Sequence, residues 1–248
     1  MVVFGGPYRA LPTPTADSTL EKEAPIAYLR DSVDILDSIA KRELSRIQRQ
    51  RHRLLQNSMP TLEATHRLSA EADVSRFSVL QLLHPVNIAL QAMCPPNWTL
   101  SVGHAQYALA ILEFKNTHVI SRQEFDRATF NQGTTDEETQ QNMDRKISEL
   151  YRLDEEVEPS LLQGNAFWLA KQAAKYAEDC SDVAIFDGMA MFIFNYVYAK
   201  SEPHISRRQD WVRGTYFDEG GRGNQTTFRR VLFGFVARAL KRRLLRLS

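Results

Sequence analysis

Cysteine is scarce, with Cys94 and Cys180 the two among 248 residues. They are far apart and show no CxxC spacing, which excludes a disulfide framework and a thiolate zinc site as organising features. This usage predicts a reducing, intracellular compartment, nuclear or cytoplasmic. Charge of one sign is also lacking. The formal net charge is +1, so any attraction to a polyanion must come from local clustering. No apolar run nears the roughly 20 residues that span a bilayer, and no signal-peptide-like stretch is visible. Neither GxxxxGK[ST] nor GxGxxG occurs, and "GRGN" at 221–224 is not a phosphate loop, so nucleotide-binding loop chemistry has no support.

What is present is enough apolar material, 43% of residues, for one full core. Residues 1–24 are rich in Pro, Gly, Thr and Ser and predict a flexible leader. From 25 to 57, Ile26, Val33, Ala40, Ile47 and Leu54 recur every seventh position, with Leu29 and Leu36 between them. That spacing predicts a long amphipathic N-terminal helix whose second half is basic through Lys41, Arg42, Arg46, Arg49, Arg51 and Arg53. Packing on its own domain is the first expectation for it; a protein partner or self-association is the alternative.

Residues 58–248 read as the main domain. A helix is predicted over 69–93 with a kink near Pro85. Two strands should follow in "WTLSVGHAQYALAILEF", the second of them buried. Helices are expected over 122–130, 137–151, 161–178 and 227–247. Asp187-Gly188 sits between two apolar runs and predicts a hairpin. Strands in mid-chain flanked by helices imply an α/β sandwich.

The chemistry centres on "AILEFK". Alternation along a strand points Glu113 and Lys115 to one face and Phe114 to the other. A carboxylate beside an ammonium suits metal-assisted phosphodiester cleavage, with Mg2+ or Mn2+ on the acid and the lysine orienting a water. Further on, Gln172 and Tyr176 fall at i and i+4 on one helix face. E-x-K followed by Q-x-x-x-Y resembles the RecB-like branch of the PD-(D/E)XK nucleases. The order "EFKNTHVISRQEF", "DVAIFDGMAMFIF", "WVRGTYFDE" resembles nuclease-like fungal proteins of that superfamily. The resemblance covers about 74–240. It implies a restriction-endonuclease-like mixed sheet flanked by helices, and a divalent-metal-dependent nuclease in which Glu113, Lys115, Gln172 and Tyr176 form the catalytic set.

One position departs from that pattern. The strand leading into E-x-K should carry a second acid, and its counterpart here is Gln106, a far weaker ligand for Mg2+. The metal would then rest on Glu113, Gln106 and His104, with Glu71, Asp73 or His84 on the preceding helix as substitutes. The departure keeps a second expectation open, a catalytically inactive nuclease-fold module that binds nucleic acid or a protein. For nucleic acid the candidate contacts are Arg213, Arg229, Arg230, Arg238, Lys241 and Arg242, the last five on a helix without an acid. A membrane-surface or nuclear-import role for this basic helix ranks lower.

Overall fold

The computed structural model describes residues 2–5, 24–50, 70–94, 101–102, 108–151, 160–196, 211–220 and 226–245. Its strands are β1 (Val2–Gly5), β2 (Ala27–Arg30), β3 (Ser101–Val102), β4 (Ala108–Phe114), β5 (Thr129–Phe130), β6 (Asp182–Phe186), β7 (Ala190–Asn195) and β8 (Trp211–Asp218). Its helices are α1 (Val33–Gln50), α2 (Glu71–Ser78), α3 (His84–Gln91), α4 (Arg122–Asp126), α5 (Asp136–Tyr151), α6 (Gly164–Tyr176) and α7 (Phe228–Leu245). The strands form one mixed sheet in the order β3-β1-β4-β6-β7-β8-β2-β5. β4 runs parallel to β6, and β2 parallel to both β8 and β5; the remaining pairings are antiparallel.

The sheet is covered on both faces. One face packs Ala110, Leu112, Ala184 and Ile193 under α1, α2, α3 and α7. The other packs Ile111, Val183, Ile185 and Phe192 under α4 and α6. Burial on both sides is why β4 and β6 read as unbroken apolar runs. No described helix is long and apolar enough to cross a membrane.

Two described segments near the start of the chain, 2–5 and 24–30, differ from expectation. Val2–Gly5, placed by composition in a flexible leader, is a strand paired with both β3 and β4. The helix expected from residue 25 starts at Val33, because Ala27–Arg30 pairs with β8. Ile26 and Leu29 have the right spacing for a helical seam but are buried in the sheet-side core instead. Ser32 marks the true start. Its Oγ accepts the Asp34 N–H at 3.1 Å, capping one of the amides that a helix end leaves unsatisfied. Positions 51–57 of the expected helix lie outside the described residues.

The kink near Pro85 takes the form of a π turn, Val79–Leu83, between α2 and α3. Proline has no N–H and crowds the preceding turn, and the wider π geometry absorbs the mismatch. In the β6–β7 hairpin Gly188 adopts φ 88°, which favours glycine. Asp187 closes that turn from within. Its Oδ1 accepts the N–H groups of Met189 and Ala190, and its Oδ2 accepts the Ile120 N–H at 2.9 Å.

Candidate functional site

Glu113 is the penultimate residue of β4, and its side chain is 8% exposed. Beyond the strand, Lys115 N–H donates to Phe186 O, so the pairing with β6 keeps the chain extended through Lys115. Both side chains therefore emerge on the face covered by α6. Lys115 Nζ donates to Glu113 Oε1 at 3.2 Å, and the Gln172 amide donates to the same oxygen at 3.1 Å. That amide also donates to the Tyr176 hydroxyl at 3.0 Å. The four residues singled out from spacing thus meet in one polar cluster between β4 and α6.

Tyr176 reports the field inside this cluster. Burial pushes its phenol far above the usual value, the Glu113 charge adds to the rise, and the Gln172 hydrogen bond opposes it. A smaller contribution comes from the Glu71 charge, which brings α2 into electrostatic reach of the site. The other acid considered on that helix serves its own backbone, since Asp73 Oδ2 accepts the Ala70 N–H at 3.1 Å at the start of α2. His84 is exposed at the junction between the π turn and α3.

Among the described residues the cluster offers a divalent cation one carboxylate, that of Glu113. Mg2+ and Mn2+ favour several oxygen ligands, with carboxylates providing the charge. Glu113 supplies a carboxylate, but one of its oxygens already faces an ammonium and an amide N–H. No group of three His, Cys, Asp or Glu suited to a metal gathers among the described residues. Gln106 and His104 lie outside the described residues. In the sheet β1 lies between β3 and β4.

The basic residues of α7 are not a free cationic face. Arg230 pairs with Asp37 at 2.9 Å and Arg238 with Asp182 at 3.4 Å. Lys241 is bonded to Glu43 and Arg242 to Asp182. Arg229 donates to Gln81 Oε1 at 2.7 Å, and Arg213 on β8 pairs with Asp31 at 2.7 Å. All six cations expected to contact phosphates are held by internal partners. Their acids come from α1, β6 and the end of β2, far away in sequence, so a charge count along α7 does not reveal the neutralisation.

Spacing gave no sign of a cleft of about 250 Å³ at the carboxyl ends of β2 and β8. It opens where β2 leads to α1 on one face of the sheet and α4 lies on the other. Ligand crevices in open α/β sheets form where connections diverge in this way. Arg30 and Arg122 both approach Asp126, at 3.1 and 3.9 Å, and Arg122 lies 5.8 Å from the Tyr216 ring centroid. The Tyr216 phenol is pushed up to about 12, first by burial, then by Asp218 and Asp187, with Arg122 opposing. These residues are spread over four elements and share no periodicity.

Comparison with known proteins finds no matching family model, no matching curated protein and no matching solved structure.

Proposed function

We propose that the chain is a nuclease-like module of the PD-(D/E)XK kind that engages nucleic acid beside the end of β4 without cutting it. The observation that carries this reading is the 3.1 Å contact from the Gln172 amide to Glu113, which joins the E-x-K strand to the Q-x-x-x-Y helix. The Gln172 amide spends its N–H groups on Glu113 and Tyr176, which leaves the Lys115 ammonium as the donor of this cluster that suits hydrogen bonding to a phosphate. Lys115, 20% exposed, has protons beyond the one given to Glu113 and is the group expected to meet the phosphate.

An active metal-dependent nuclease is the second reading, favoured by Glu113 and Lys115 sharing one strand face. The deciding experiment titrates Mg2+ and Mn2+ calorimetrically into the wild-type chain and Glu113→Ala, and assays both for cleavage of single- and double-stranded DNA and RNA. The expected result is no saturable metal heat, no cleavage, and retained binding of nucleic acid. Metal heat and cleavage that both vanish in Glu113→Ala would establish the enzyme instead; absence of nucleic-acid binding would sink the module reading.

A further inference from the structure

We propose that Trp168 and Lys171, on α6 beside the Glu113 cluster, form a stacking platform for an unpaired nucleobase, which makes the partner single-stranded nucleic acid. This rests on the nucleic-acid reading above and narrows it to one class of substrate.

Trp168 does not contribute to the core. α6 buries Ala166, Phe167, Leu169, Ala170, Ala173 and Tyr176, yet leaves the Trp168 ring 48% exposed. An indole is among the most costly side chains to leave in water, because it presents a large apolar face. The ring is nevertheless held in place. Phe167 meets it edge to face, with centroids 5.3 Å apart at 82°. Lys171 Nζ lies 5.2 Å from the centroids of both rings. With Lys171 Nζ over one side of the indole, the opposite side is the π face offered to a base, since every base has a π face to match.

Placement supports the assignment. Trp168 and Gln172 are four residues apart on one helix, so the platform lies one turn, roughly 5.4 Å, from the residue that touches Glu113. A strand with one phosphate at Lys115 can therefore lay a neighbouring base on Trp168. Charge points the same way. Arg230, Arg238, Lys241 and Arg242 of α7 are paired with internal acids, whereas Lys171 meets aromatic rings and no carboxylate among the described residues. A duplex hides the flat faces of its bases within the stack, so this platform can be filled by a single strand and not by a double helix.

The test uses the full chain, fluorescein-labelled oligothymidylate and a labelled duplex of the same length, with binding followed by anisotropy at several salt concentrations. Trp168→Ala is expected to weaken single-strand binding about tenfold, with Trp168→Phe intermediate because it keeps a ring. Lys171→Gln should lower the salt dependence by about one released counterion. Thermal melts of the variants should match the wild type, since the indole is outside the core. Unchanged single-strand affinity in Trp168→Ala, with the wild type binding well, would overturn the platform and leave the nucleic-acid reading standing. Duplex bound as tightly as single strand would also overturn it. Failure of the wild type to bind either probe would instead remove the underlying reading. A Trp168-dependent interaction with an apolar peptide and none with the oligonucleotide would reassign the surface to a protein partner.

Discussion

Gln172 and Glu113 are 59 positions apart in the chain, and their side chains meet at 3.1 Å across the β4–α6 interface. The same Gln172 amide bonds Tyr176, so one side chain ties together a carboxylate and a phenol. Gln172→Leu keeps much of the volume and removes both hydrogen bonds. It should cost about 1–3 kcal/mol, the range for stranding partly buried polar partners. Urea unfolding measures this; an unchanged midpoint would show that water replaces the amide at no cost.

Asp187 should be among the most sensitive positions in the sheet. It is fully buried and accepts three backbone N–H groups, from Ile120, Met189 and Ala190. Asp187→Ala leaves all three without that acceptor and should destabilise by about 3 kcal/mol or more. Asp187→Asn keeps an acceptor oxygen but turns an amide N–H toward backbone donors, so an intermediate loss is expected. Thermal melts of the two variants check the order.

The seam between α1 and α7 should respond to pH through Glu43. Burial raises the Glu43 carboxyl pKa, but hydrogen bonds from Lys241 and Arg42 and the charges of Lys241 and Arg46 outweigh it and hold the group below its usual value. A carboxyl lowered in the folded state adds stability above its unfolded pKa and loses it as pH falls through the folded one. Glu43→Gln should therefore cost about 1–2 kcal/mol at neutral pH, a figure moderated by the exposure of its partners. The gap from wild type should close as the pH falls below the carboxylate range. Urea unfolding at neutral and acid pH gives both values, and a gap that stays constant with pH would contradict the assignment.

The same seam has a steric limit. A Cβ on Gly234 would lie 2.1 Å from the Leu36 carbonyl oxygen. Backbone cannot yield as a flexible side chain can, so Gly234→Ala should push the helices apart and cost about 3 kcal/mol. Thermal melting would show it, and a wild-type melt would mean that the helices separate freely.

Much of this was legible before folding. β4 and β6 are buried on both faces and so read as continuous apolar runs, and Asp187-Gly188 announced its own hairpin. The Glu113 cluster followed from two parities, alternation on a strand and i, i+4 on a helix. β8 carried no such clarity. Gly214 sits where a Cβ would meet the Phe192 and Tyr28 rings at 2.7 Å, and this interrupts the pattern of "WVRGTYFD". Ile26 and Leu29 fitted a seven-residue repeat but were claimed by sheet pairing, a tertiary preference that local spacing does not contain. The fate of the α7 cations was hidden for a related reason, because Asp37, Glu43 and Asp182 reach them from other parts of the chain.

The pairing of β2 has a consequence for how the protein is made. β2 joins the sheet through residues 211–214 of β8, and β5 joins through β2. On the ribosome the Ala27–Arg30 segment can meet Thr129–Phe130 earlier, but its link to the rest of the sheet must wait for residues 211–214, when nearly the whole domain has been synthesised. Contacts of such long sequence separation close late and slowly. A nascent chain arrested before residue 211 would hold its β4–β6 centre while this flank of the sheet stayed open to proteases and to chaperones.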